Sequence, residues 1–155
     1  MSDEIDLRDF IRIGMRDERV KEIAYQLNTI EEIIEYIWVR FNIGAEEGDT
    51  WFSASDMLDI VVKNPNNFFD CEDISIFLST VSALKNWSVT SYVYSLEYNE
   101  NHAINLYYDE DKAIPIDVTL GKTGTARGDP NRQPIVEWSA EFIRVYDERL
   151  YERLL

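Results

Sequence analysis

The sequence predicts an α+β fold in which a cysteine-bearing helix packs on an antiparallel β-meander, with further helices on its N- and C-terminal sides. Three observations carry that expectation. Asp70-Cys71-Glu72-Asp73 leads into Ile74, Phe77, Leu78, Val81 and Leu84 at helical spacing. Residues 88–118 then hold three segments rich in Val, Ile, Thr and Tyr, separated by turn residues. Apolar stripes of helical period lie before and after this pair of features.

Taken in order, Val20, Ile23, Ala24 and Leu27 fall on one face of a helix between Asp17 and Leu27. Thr29 with Glu32 three residues on forms a capping box, and Ile30, Ile33, Ile34, Ile37 and Phe41 make a second helix ending near Gly44. The polar stretch 45–50 reads as a loop into Trp51. Ser53 and Asp56 cap a third helix carrying Met57, Leu58 and Val61, which must stop before Asn64-Pro65. Asn64 to Phe69 is a turn-rich approach to the cysteine. Asp70 caps the next helix, with Asp73 at the capping-box position as a shorter substitute for Glu. Strands are expected over Ser88 to Tyr98, His102 to Tyr108 and Ala113 to Val118. Gly121 to Pro134 is a loop. Trp138, Phe142, Tyr146, Leu150 and Leu154, four residues apart, give an amphipathic helix over 135–155.

A chain of 155 residues with 45% hydrophobic and 13% aromatic content fits one domain over residues 1–155. Its net charge of -15 repels phosphate backbones and anionic membrane surfaces, so neither nucleic acid nor membrane is an expected partner. One cysteine rules out an internal disulfide, and one Cys with one His cannot build a thiolate-imidazole zinc site. No metal or cofactor is expected. The acidic segment from Met1 to Phe10 lacks the basic and apolar regions of a signal peptide, which points to a cytoplasmic or virion-associated chain with a reduced thiol. The sequon Asn86-Trp87-Ser88 then has no bearing. Gly121-Lys122-Thr123 looks like the end of a phosphate loop, but Ile116 stands where the first glycine belongs. Arg127-Gly128-Asp129 is read as a chance tripeptide.

The chemistry-bearing residues are the lone Cys71, the lone His102 and Asp117. A lone cysteine on a helix, or a lone histidine in a strand, is ordinarily structural. Together they form the order nucleophile, base, orienter. A hairpin turn at Asp109-Glu110 closed by Tyr108 and Asp111 sets His102 opposite Asp117, where an Asp-imidazole hydrogen bond fixes the tautomer. That face also carries Ile104, Leu106, Ala113 and Pro115, an apolar set expected to pack under the Cys71 helix, with Pro115 costing one ladder bond. The helix N-terminus favours a thiolate, whereas Glu72 and Asp73, read as cap and surface groups, oppose it.

These residues carry a resemblance. Asp70-Cys71-Glu72-Asp73, His102-Ala103 at a strand start and Ile116-Asp117-Val118-Thr119 look like the transglutaminase-like superfamily, nearest to the bacterial transglutaminase-like cysteine proteinases. Asp49-Thr50-Trp51-Phe52-Ser53-Ala54-Ser55-Asp56-Met57-Leu58 resembles the element those proteins carry ahead of the cysteine, so the likeness covers about residues 49–120. It implies a papain/transglutaminase-like core and a thiol hydrolase acting on an amide or peptide bond, with Cys71 as nucleophile, His102 as base and then acid, and Asp117 orienting His102. It further implies an oxyanion held by the Cys71 N–H and one more donor. Trp51 and Phe69 are candidates for that donor or for a wall of the site; Phe69 replaces the family's Gly, and Ala54 its Pro. The expected substrate is a protein or peptide. The alternative expectation is a catalytically silent structural or assembly protein, for example phage-associated, that docks protein partners or a second copy through the C-terminal helix.

Overall fold

A computed structural model of the chain describes residues 7–44, 51–95, 101–109 and 112–119. Five helices, α1 (Leu7–Arg16), α2 (Glu18–Gln26), α3 (Ile30–Arg40), α4 (Ala54–Lys63) and α5 (Cys71–Leu84), accompany two small sheets. Strands β1 (Asn42–Ile43) and β2 (Phe68–Phe69) pair in parallel, and β3 (Val89–Ser95), β4 (Asn101–Asp109) and β5 (Lys112–Ile116) form an antiparallel sheet in the order β3-β4-β5. The described part is thus a mixed α+β structure. No helix within it is long and apolar enough to cross a membrane.

Most helix boundaries follow from side-chain caps. Asp17, Thr29, Ser53 and Asp70 each accept a backbone N–H of the first turn that follows, so the orphan donors of α2 to α5 are met locally. At α3 the Glu32 carboxylate reaches past the cap to the Asn28 N–H. That helix ends at Arg40 rather than near Gly44, because Asn42 and Ile43 are drawn into pairing with Phe68 and Phe69. Helix α5 closes in a Schellman motif: Trp87 N–H donates to the Ser82 carbonyl and Asn86 N–H to that of Ala83, with Asn86 left-handed at φ 58°.

Helix α5 is the centre of the described structure. Every residue from Asp73 to Ser82 is buried, because α1 to α4 cover one side and β3 and β4 the other. On the helical side its partners are apolar: Phe77 meets Phe41 at 5.1 Å and Tyr36 at 6.0 Å, and Phe69 stands edge-on to Phe41 at 5.3 Å. On the sheet side the contact is polar. Ser75 Oγ donates to the Ile104 carbonyl, Asn105 Nδ2 to the Ser75 carbonyl and Ser79 Oγ, and Ser91 Oγ lies 2.7 Å from Ser79 Oγ. These bonds fix both how far the helix slides along β4 and how it is rotated.

Two sequence expectations about the sheet are corrected by this packing. Helix α5 lies on the face of Asn105 and Ser91, not on that of Ile104, Leu106 and Pro115, which are buried on the opposite side. The β4-β5 register also differs, since Asp109 pairs with Lys112, Leu106 with Pro115 and Asn105 with Ile116. Relative to the expected pairing, β5 is displaced by two residues and ends before Asp117. A shift of two preserves which side chains share a face, so the apolar pattern cannot select between the registers. Nor can proline. Tyr108 N–H donates to the Ser88 carbonyl of the β3 side, so even-numbered β4 residues bond toward β3 and odd-numbered ones toward β5. Leu106:Pro115 is then a pair without ladder bonds, as Ile104:Pro115 would have been in the expected register, so the missing proline N–H costs nothing in either and the expected loss of a ladder bond does not arise.

Helix α1, absent from the sequence expectation, is held by a close approach. A Cβ added at Gly14 would sit 2.7 Å from Thr80 Cγ2 and 3.2 Å from Ala54 Cβ. The expected helix over 135–155 and the loop 121–134 lie outside the described residues. Gly14→Ala is expected to destabilise the protein by about 1–3 kcal/mol through overpacking, outweighing the roughly 1 kcal/mol that alanine gains over glycine within a helix. A urea midpoint that rises in this variant would show that α1 does not pack against Thr80 as described.

Candidate active site

The candidate site forms where the first turn of α5 meets β4. Asp70 and Asp73 build its base. Asp70 Oδ1 accepts the Asp73 N–H at 3.4 Å, and Asp73 Oδ2 returns the bond to the Asp70 N–H at 3.2 Å. The second oxygen of Asp73 accepts the Phe52 N–H at 3.0 Å. Asp73, expected at the surface, is 0% exposed, and its carboxylate ties the 51–52 peptide to the turn that bears the cysteine. The shortness of Asp relative to Glu is what keeps this carboxylate against the backbone instead of reaching outward. Trp51, half-buried, is thereby held beside the start of α5. Phe69 is fully buried among Phe41 and Phe52, a core position for its ring.

Cys71 is the first residue of α5 and half-buried. Its Sγ accepts a hydrogen bond from the Ala103 N–H at 3.4 Å. The sulfur therefore lies against β4 immediately after His102, whose backbone pairs with Tyr94. The His102 side chain is outside the described residues. Asp117 follows the end of β5 and is 1% exposed. Its Oδ1 accepts both the Thr119 N–H at 3.1 Å and the Thr119 hydroxyl at 2.6 Å. Because β5 ends at Ile116, the ladder does not extend to Asp117.

The electrostatics keep the resting thiol protonated. Burial pushes the Cys71 pKa from 9.0 up to about 12, and the carboxylates of Glu72, Asp70 and Asp117 add to the rise, while the Ala103 N–H opposes it. The structure thus brings Cys71, the Ala103 N–H and the Asp117 carboxylate into one neighbourhood. It also reveals groups that sequence reasoning missed. Thr119 holds Asp117, and Trp38 on α3 donates its indole N–H to the Val118 carbonyl at 2.7 Å. Trp38 sits at the edge of the apolar stripe of α3, four residues after Ile34, so periodicity gave it no role beyond the core; its partner is eighty residues away.

Replacing Asp73 by alanine strands the N–H groups of Phe52 and Asp70, and a loss of about 1–3 kcal/mol is expected for each buried donor left unpaired. Denaturant unfolding of Asp73→Ala measures this, and a midpoint equal to that of the parent would show that the carboxylate does not hold the 51–52 peptide.

No family model matches the chain, and no curated protein matches it significantly. Among solved structures, Legionella pneumophila LapG (EGTA-treated) aligns with 96% of this chain and 98% of that chain, at 12% identity and a TM-score of 0.44. A likeness at that score shows neither a shared fold nor a shared activity.

Proposed function

We propose that the chain is a transglutaminase-like thiol hydrolase, a single domain that cleaves an amide or peptide bond of a protein or peptide substrate. The observation that carries this reading is the hydrogen bond from the Ala103 N–H to Cys71 Sγ, because it fixes the only thiol against the strand residue that follows the only histidine. The Asp117 carboxylate acts on the same sulfur.

In the proposed reaction His102 takes the Cys71 proton as sulfur attacks the substrate carbonyl carbon. The carbonyl electron pair moves onto oxygen, where the Cys71 N–H at the start of α5 meets it, and Trp51 flanks the pocket. The amide nitrogen leaves with the proton from His102, which forms the thioester. Water then attacks, gives its proton to His102 and releases the acid, returning the proton to sulfur. Asp117 orients the imidazole. A thiol held protonated until attack suits a general-base role better than a standing thiolate-imidazolium pair, since burial and three carboxylates all disfavour the thiolate.

A second reading, a silent scaffold that docks proteins, is favoured by the same raised thiol and by the outward apolar side chains of Tyr25, Val39 and Val62. Iodoacetamide kinetics separate the two, with Cys71→Ser as the blank. In His102→Ala the rate should climb about tenfold per pH unit from 7 toward 11, because only the ionised fraction of a thiol with its pKa near 12 reacts. The intact chain should show an added, His102-dependent limb at lower pH. At pH 7.5 it should react at least about tenfold faster than the variant. Superimposable profiles would remove the hydrolase reading and leave the scaffold.

A further inference from the structure

The β4-β5 ladder stops at Asn105 and Ile116. Continued by one more hydrogen-bonded pair, it would join Ala103 to Val118, with the Ala103 N–H donating to the Val118 carbonyl. Neither group makes that bond. The Val118 carbonyl accepts the Trp38 indole N–H, and the Ala103 N–H is donated to Cys71 Sγ. Val118 is buried and flanked by Asp117 and Thr119, which are joined to each other through two hydrogen bonds.

We propose that Trp38 is a positioning residue for the nucleophile: by holding the Val118 carbonyl, it turns the chain off β4 after Ile116 and leaves the Ala103 N–H to the sulfur. The inference deepens the thiol-hydrolase reading and rests on it for its catalytic meaning. One indole bond has two effects at the site. It sets the sulfur on β4 beside His102, and it anchors the peptide next to Asp117, so nucleophile and orienter are placed by the same contact from α3. Without it, Val118 is drawn back to its ladder partner, the sulfur loses its donor, and Asp117 moves with the strand.

The test removes the indole N–H while keeping the ring shape, by placing β-(3-benzothienyl)alanine at position 38, with Trp38→Phe as a second variant. Two readouts follow. The Ala103 amide proton is observed by NMR, with Cys71→Ala setting the shift expected when the sulfur leaves. The His102-dependent part of the iodoacetamide rate is measured as above. Both variants should move the Ala103 resonance and lower that part of the rate by about tenfold or more, as expected for a displaced reacting group. An unchanged Ala103 amide and rate in the benzothienyl variant would overturn the proposal, as would failure of both variants to fold, which would make the indole bond a requirement of the fold instead. If His102→Ala leaves the rate of the otherwise intact chain unchanged, the hydrolase reading fails, and the Ala103 resonance alone then decides what Trp38 does.

Discussion

A helix enclosed on every side must match several unlike surfaces at once, and α5 meets that constraint by dividing its circumference. Phe77, Leu78 and Val81 belong to the apolar core shared with α2, α3 and α4, where packing rewards volume and shape. Ser75 and Ser79 face the sheet, where burial is tolerable only because Asn105, Ser91 and the Ile104 carbonyl satisfy them. An all-apolar contact would let the helix slide along the sheet with little penalty. Hydrogen bonds between defined atoms do not, and the cysteine at the head of the helix inherits that fixed position.

The parts of this arrangement that were legible in the sequence are those governed by neighbours in the chain. Thr29, Ser53 and Asp70 announced three helix starts because a cap and its recipient N–H lie three residues apart. The three strands of the antiparallel sheet were legible from composition. Helix α1 was not, because its buried residues are only Leu7 and Gly14, and a glycine that serves by having no side chain leaves no apolar mark. Strands β1 and β2, two residues each, fall below any periodic signal.

The candidate site was legible as a set of residue types and not as a geometry. Register was not readable, because a shift of two residues preserves both the faces of the side chains and the bonding direction at Pro115. The depth of Asp73 depended on a loop contact twenty-one residues away. Phe69 was a candidate wall of the site because it precedes the Asp-Cys pair, yet its ring turns into the aromatic core. The surroundings of the thiol combine two opposing demands. The carboxylates that cap and brace the helix start also disfavour ionisation of the sulfur they position, so local stability and a standing nucleophile are in tension there.

The sulfur on the Ala103 N–H also completes the backbone accounting of β4. Where β5 ends at Ile116, the strand keeps a donor at the buried Ala103, and a buried N–H left without a partner is costly. A side chain from the adjoining helix meets that donor with a soft, weakly accepting atom. The sulfur therefore belongs to the satisfaction of the sheet as well as to the chemistry of the site.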